Sequence, residues 1–493
     1  MNVLMVAAEM SPLVKVGGLA DVTGALPAAL ARRGCEVAVV MPLYADIDRE
    51  RWGLRPRPGL GEVPLRVGDA MLDVRFWQWP DAPHGVTVDL VECPPLFGRA
   101  GIYADPDGRG FPDAVARASC LCQAALLLPR LAEWPVDIVQ AHDAQTALAP
   151  VYRRLWYRGR DLPGPAATLL TIHNLAHQEI HPPDTIAQAG LPARLVQYPE
   201  MFEFWSNLNL LKAGIVASDL VNTVSPTYAR EVVTSDTLGC GLQGVLAERA
   251  DAFSGILNGV DYSVWDPAHD PYLAAPYNAV DLAGKAVCRA RLLAAAGLVD
   301  SPRPLLGLVG RLVAQKGLDL VAALLDRLVA GGFSLIVLGT GAPVYHAVLS
   351  EAARRHPGHI AFWPEFSEAK AHAIYAGSDL FLMPSRFEPC GLSQLYALRY
   401  GTPPIVRRTG GLADTVRDVQ IGEGTGFVFA EDRADALWGS LEAARTVFAD
   451  PVRWRRLQRR GMGCDYSWDT AAASYLELYQ AAGRQTIADR RRW

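Results

Sequence analysis

Short apolar runs alternate with longer helix-period stretches from one end of this chain to the other. That alternation restricts the fold more than any other feature. In the first half, residues 3–8, 37–41, 86–91, 138–141, 168–173 and 221–224 read as strands. In the second, residues 305–309, 335–338, 360–363, 380–383 and 404–406 do the same. Buried strands separated by helices predict an α/β chain with parallel sheets covered on both faces. Several runs end in glycine or small polar residues, at the edge where doubly wound sheets hold ligands.

A chain of 493 residues accommodates two such domains. A Pro-, Tyr- and Asp-rich stretch, residues 265–277, follows Leu257-Asn258-Gly259-Val260-Asp261 near the midpoint. Such a stretch is expected to be extended and to carry little core, which places the division at 1–256 and 257–465. Residues 52–85, rich in Pro, Gly and Trp, read as an irregular hairpin insertion. Residues 468–480 are amphipathic, with Ala471, Ala472, Tyr475, Leu476 and Tyr479 on one broad face, a helix able to pack on either domain. The Arg-rich stretch 484–492 reads as a solvated tail.

The net charge of -5, from 47 basic and 52 acidic side chains, argues against a nucleic-acid-binding surface. The eight cysteines are scattered without CxxC spacing, so neither a zinc site nor a disulfide framework is expected, and a reducing compartment fits. The first residues lack a basic region, and Glu9 interrupts their apolar stretch. No apolar run reaches the roughly 18 residues of a membrane span. The expected location is cytoplasmic, away from membranes.

One pentapeptide, Gly-Gly-Leu-Ala-Asp, occurs twice, at Gly17–Asp21 and Gly410–Asp414. The first copy leads toward a helix-like stretch at 26–33, the second toward 415–418. Paired glycines at a strand-to-helix junction let backbone N–H groups approach an anion. Lys15 stands beside the first copy, Arg407 and Arg408 beside the second. Arg311 and Lys316 follow the strand at 305–309, where two cations suit a diphosphate or are simply surface charges. Glu388 follows the strand at 380–383, ahead of Gly391 and a helix expected near Leu392. There a carboxylate either caps the helix or holds sugar hydroxyls. His142 with Asp143, and His173 with Asn174, end two strands of the first half, as structural residues or as a site. Lys212 lies on a helical stretch, where it is a site residue or an ordinary exposed lysine. No Walker A, Gly-x-Ser-x-Gly or metal-ligand spacing appears. Gly339-Thr340-Gly341 lacks the third glycine of a dinucleotide fingerprint.

These segments resemble those of bacterial glycogen synthases and plant starch synthases. The resemblance runs collinearly from Val3 to about Leu478. It is carried by Lys15-Val16-Gly17-Gly18-Leu19-Ala20-Asp21-Val22, Thr171-Ile172-His173-Asn174-Leu175-Ala176, Lys212-Ala213-Gly214, Val224-Ser225-Pro226-Thr227-Tyr228-Ala229-Arg230-Glu231 and Leu257-Asn258-Gly259-Val260-Asp261. Gly310-Arg311 with Lys316-Gly317-Leu318-Asp319, Ser385-Arg386-Phe387-Glu388-Pro389-Cys390-Gly391-Leu392 and Arg408-Thr409-Gly410-Gly411-Leu412-Ala413-Asp414-Thr415-Val416 complete it. The resemblance implies the GT-B architecture, two Rossmann-like doubly wound domains facing each other across a deep cleft, with the terminal helix 466–493 returning to the first. It implies transfer of glucose from ADP-glucose to the nonreducing end of an α-1,4-glucan (glycogen), with retention and without a metal or cofactor. By that analogy Arg311 and Lys316 hold the donor diphosphate, and Lys15 and Gly18 reach it too. Glu388, Cys390, Gly391 and Leu392 hold the glucosyl hydroxyls, His173 and Asn258 line the same sugar, and Asp143 lies toward the acceptor. Asp21, Phe366, Thr409 and Gly410 join the donor set.

Three positions depart from the family pattern. Ala144 and Gln145 stand where Trp and His are usual, and Phe366 where tyrosine is usual. A GT-B phosphorylase would need a pyridoxal phosphate lysine, and neither Lys316 nor Lys370 has the expected surroundings. A non-catalytic glucan-binding protein could share the fold, but Lys15, Glu388, Arg311 and Lys316 are intact. A nicotinamide dehydrogenase would need the fingerprint that Gly339-Thr340-Gly341 lacks.

Overall fold

The structure, a computed structural model, describes residues 1–157 and 166–490. The end of the Arg-rich tail lies outside them. The chain divides into two compact units: Met1–Gly259 together with the segment from Trp468, and Val260–Ser467.

The first unit is built on one large sheet. Its strands lie in the order Phe253–Gly255, Leu220–Thr223, Ala167–Ile172, Ile138–His142, Asn2–Val6, Glu36–Pro42, Val86–Glu92, Ala70–Gln78, Arg55–Pro56, and Val63–Val67 also pairs with Ala70–Gln78. The first seven of these run parallel. Numbered along the chain they lie 7-6-5-4-1-2-3. Val3, Leu4, Met5 and Val6 are all fully buried, as expected of a strand covered on both faces. The segment expected to be an irregular hairpin insertion, 52–85, does hold a hairpin, Val63–Val67 with Ala70–Gln78, but a regular one that with Arg55–Pro56 extends the sheet by antiparallel pairing. Leu65, Val67, Val74 and Phe76 turn inward while Pro64, Arg66, Asp73 and Arg75 between them stay exposed.

Helix Ala114–Leu131 is long and apolar enough to span a membrane by composition alone, but most of it is buried in the core of this unit. Its Arg117 donates to the carbonyl oxygens of Leu96 and Ile102. Helix Trp468–Arg490 packs its Ala471, Ala472, Tyr475 and Tyr479 face into the same core. The Tyr479 hydroxyl donates to Gln140 on a central strand. Arg32 and Arg33 bond the side chain and the carbonyl of Asp469.

The second unit has a six-stranded sheet, all parallel: Ile360–Trp363, Ser334–Leu338, Leu305–Val309, Leu380–Met383, Pro404–Arg407, Phe427–Phe429. In chain order this is 3-2-1-4-5-6. The stretch 265–277, expected to carry little core, is in fact tied deep into this unit. Trp265 stacks between His372 and Tyr396, 3.9 Å from each ring centroid. The buried Asp270 carboxylate lies 2.7 Å from His372 Nδ1, and Tyr277 is buried. Polar composition hid these contacts, because the buried polar atoms pair with one another.

Both sheets reverse strand order beside their first strand. In such sheets ligands sit outside the carboxyl ends at the reversal. In the first unit it falls between Asn2–Val6 and Ile138–His142. In the second it falls between Leu305–Val309 and Leu380–Met383.

Candidate active site

Two loops leave the reversal of the second sheet, and they carry Arg311, Lys316 and Glu388. Lys316 Nζ lies 2.6 Å from Glu388 Oε2. Ser385 Oγ donates to the same oxygen at 3.0 Å. Glu388 is buried, so the ammonium and hydroxyl replace lost water. Glu388 Oε1 takes no hydrogen bond among the described residues, nor do the amides of Gly391 and Leu392 donate one. Arg311 is exposed and makes no ion pair among the described residues. The helix behind Glu388 begins at Ser393. Glu388 therefore faces the loop rather than capping that helix.

Arg386 stitches the two loops together. Its guanidinium forks onto Asp319 at 2.6 and 2.5 Å, and also reaches Asp432 at 2.9 Å and the Ala314 carbonyl oxygen at 2.9 Å. Its amide donates to the Gln315 carbonyl, and its carbonyl accepts from Arg407. The paired carboxylates hold the Arg386 charge more firmly than usual. Nothing in the residue pattern marked Arg386 apart from its neighbours.

The second Gly-Gly-Leu-Ala-Asp copy closes this arrangement in a different way from the one expected. It is itself the helix, Gly410–Thr415, which ends where the sequence pattern placed the start of one. Gly410 has φ of 43°, and a Cβ there would stand 2.0 Å from the Glu388 carbonyl oxygen. A Cβ on Gly411 would stand 2.1 Å from the Cys390 carbonyl oxygen. The glycines thus let this helix press against the Glu388 loop, and Gly411 N bonds the Glu388 carbonyl at 3.1 Å. Thr409, just before it, is buried. Phe366 follows the edge strand Ile360–Trp363 and is 86% exposed.

The first copy opens the helix Gly18–Arg32, earlier than the stretch 26–33 that the sequence marked. The amides leading into it have an occupant that no sequence pattern revealed. Glu9 Oε2 accepts from Val16 N at 2.5 Å and Gly17 N at 3.1 Å, and Tyr103 donates to Oε1 at 2.9 Å. Gly18 N bonds none of the described residues. Lys15 is exposed and pairs with Asp21 at 2.5 Å.

Asp143, His142, His173 and Asn258 belong to the first unit. Asp143 has φ 60° and ψ -174°, a region that suits glycine alone and costs roughly 1–3 kcal/mol. It is held there by its amide bond to the Thr171 carbonyl and by the His173 amide donating to its carboxylate at 2.7 Å. Burial pushes its carboxyl up to about 7, against the pull of the backbone amides. His142 Nδ1 lies 3.0 Å from His173 Nε2 in stacked rings, and burial holds both imidazoles neutral, His173 down to about 3. His142 Nε2 and Asn258 Oδ1 are buried without a hydrogen-bond partner. Buried polar atoms of this kind ordinarily pair with a protein group, a water or a ligand. Gln145 bonds Glu179 Oε1, whose other oxygen bonds His181, both at 2.8 Å. Lys212 is half-buried rather than freely exposed. It caps the carbonyls of Glu200 and Glu203.

Among the described residues no group of His, Cys, Asp and Glu forms a metal cluster. Residues 2–248 match the family model of the starch synthase catalytic domain, and residues 293–446 that of glycosyl transferases group 1. Glycogen synthase 2 of Geobacter sulfurreducens is 44% identical over 98% of this chain and 99% of its own length. Glycogen synthase of Anaeromyxobacter dehalogenans is 46% identical over 97% and 99%. The catalytic domain of starch synthase IV from Arabidopsis thaliana, solved bound to ADP and acarbose, superposes with a TM-score of 0.90 at 34% identity. The match covers 98% of this chain and 99% of that one. Sucrose-phosphate synthase from Thermosynechococcus elongatus shares the fold, with a TM-score of 0.58 and 16% identity.

Proposed function

The chain belongs to the family of glycogen and starch synthases, GT-B glycosyltransferases that extend a glucan from a nucleotide sugar, and we propose that its donor is ADP-glucose and its acceptor the nonreducing end of an α-1,4-glucan. The observation that carries the assignment of residues is the Lys316–Glu388 pair at the sheet reversal, on the loops that also carry the exposed Arg311.

Breaking a glycosyl phosphate leaves an oxocarbenium-like sugar and a diphosphate that gains charge. Lys316 spends one of its three N–H donors on Glu388 and keeps the others for phosphate oxygens. Arg311 adds a fork. Both interactions strengthen as the bond breaks, which lowers the barrier rather than merely tightening binding. Glu388 Oε1 and the Gly391 and Leu392 amides are assigned to glucosyl hydroxyls, with Cys390, Thr409 and Gly410 shaping the loop around them. Lys15, Gly18, Asp21, Asn258 and His173 are assigned to the donor and its sugar, and Asp143 to the acceptor side. No carboxylate stands out as a covalent nucleophile among the described residues. Retention, and same-face attack with the departing phosphate taking the acceptor proton, are what the resemblance to glycogen and starch synthases implies.

Phe366 supports the adenine assignment. It presents an exposed aromatic face without a hydrogen-bond demand, and a purine covers more of it than a pyrimidine does. The ADP in the starch synthase IV structure favours the same reading. The test is incorporation of labelled glucose into glycogen from ADP-glucose and from UDP-glucose. A kcat/KM ratio favouring UDP-glucose overturns the donor, and no incorporation from either overturns the reaction.

A further inference from the structure

One hairpin of the first unit is closed by residues that its turn disfavours. Strands Glu203–Phe204 and Asn207–Asn209 pair with Phe204 opposite Asn207, so Trp205 and Ser206 form the whole loop. Both have positive φ, 50° and 64°. Hairpin loops with that geometry select Asn-Gly, because a Cβ is crowded in the left-handed region, and a bulky residue there is an outlier. Burial does not repay the strain, since Trp205 is 78% exposed. The turn is nonetheless pinned. Ser206 N donates to Glu203 Oε1 and Asn207 Nδ2 to the Trp205 carbonyl oxygen, both at 3.1 Å. Lys212 Nζ donates to the carbonyl of Glu203, on the strand entering the turn. Strain kept in place at an exposed aromatic points to a binding role rather than a folding one.

We propose that Trp205 is a stacking platform for an α-glucan chain outside the reaction centre. The proposal rests on the glucan-acceptor reading above. An exposed indole face suits the flat C–H face of a pyranose. The side chains of Glu203, Ser206 and Asn207 around it offer donors and acceptors for hydroxyls. The Glu203 carboxylate disfavours a polyanionic partner. The hairpin is also continuous with the acceptor-side turn. Strand Asn207–Asn209 pairs with Ile180–His181. His181 bonds Glu179, and Glu179 bonds Gln145, two residues after Asp143. The small sheet thus joins the Trp205 turn to His181, and the side chains of His181, Glu179 and Gln145 link it to the turn that follows Asp143.

The test is Trp205→Asn, a change that relieves the turn and leaves the melting temperature unchanged or higher. Glycogen affinity, read by electrophoresis through glycogen-containing gels, is expected to weaken about threefold to tenfold. KM for glycogen rises in step, while kcat and the KM values for maltotriose and for the nucleotide sugar stay put. Unchanged glycogen affinity overturns the proposal. So does an equal rise in KM for maltotriose, which would move Trp205 into the reaction centre, or a smaller assembly in sedimentation, which would make the partner a second copy. A wild type that transfers glucose to neither acceptor overturns the glucan reading as a whole. A wild type that transfers to both, with a variant that still binds glycogen normally, sinks the Trp205 proposal alone.

Discussion

Lys316 and Glu388, seventy-two positions apart in the chain, meet at 2.6 Å where two loops leave adjacent strands. Lys316→Ala and Glu388→Ala are each expected to lower kcat by ~10²–10³-fold, the usual loss for a positioned transition-state group. The two differ in stability. Removing the lysine leaves a buried carboxylate without its ammonium, whereas removing the carboxylate frees a partly exposed lysine, so Lys316→Ala melts lower than Glu388→Ala. Thermal melts beside steady-state kinetics check both. Near wild-type turnover in either folded alanine variant refutes its assignment.

Arg386, on the Glu388 loop, makes four hydrogen bonds to the 314–319 segment that carries Lys316 and a fifth to Asp432. Lysine cannot reproduce the fork onto Asp319. Arg386→Lys is expected to keep the fold and lower kcat by about tenfold, the size of effect that a displaced site group produces. Donor KM should change less than kcat. Equal kinetics for variant and wild type would show that the loops hold their places without it.

The two pentapeptide copies respond differently to the same substitution. Gly17→Ala adds a Cβ 3.6 Å from Glu9 Oε1, an ordinary contact at a φ any residue adopts. Gly410→Ala drives a Cβ into the Glu388 carbonyl and strains a left-handed backbone. Gly410→Ala therefore lowers both the melting temperature and kcat. Gly17→Ala leaves the melting temperature intact, and any activity it loses reports ligand contact at that loop. Equal melting losses in both would contradict the geometry.

Asp143 gives a pH signature. Its native carboxyl titrates at about 7, against about 4 in the unfolded chain. Between those values the native state binds the extra proton, so Asp143 costs nothing at low pH and destabilises progressively as pH rises toward 7. Asp143→Asn should gain on wild type across that window, by at most roughly 1.4 kcal/mol per pH unit, and then level off. Chemical denaturation at pH 5, 6, 7 and 8 measures it. A constant gap would mean that the carboxylate is solvated in solution.

Phe366→Ala removes an exposed ring with little at stake in folding. Donor KM should rise several-fold for ADP-glucose and less for UDP-glucose, narrowing the preference. A uniform rise for both donors would place the ring away from the base.

How far the sequence reached depended on what each segment buries. Strands such as Leu305–Val309 and Ile360–Trp363 were legible to the residue, because a parallel strand covered on both faces is an unbroken apolar run. Ala70–Gln78 was not, since several of its side chains face water and its partners are antiparallel. The contacts of Glu9, Gln145 and Glu179 escaped notice because they reach across the fold, which no local spacing records. The second glycine pair has a further requirement that its local pattern did not show: its glycines also fit the closeness of the Glu388 loop.

The first unit is interrupted. Its core is finished by Tyr475 and Tyr479, which the ribosome makes only after all of Val260–Ser467. The unit synthesised first is thus completed last, and its central strands wait with their Tyr479 partner Gln140 uncovered. The inserted unit, continuous in sequence, can close as soon as it emerges. Order of synthesis and order of completion are reversed, so the unit that carries the amino terminus cannot finish its core until the whole insertion has been made.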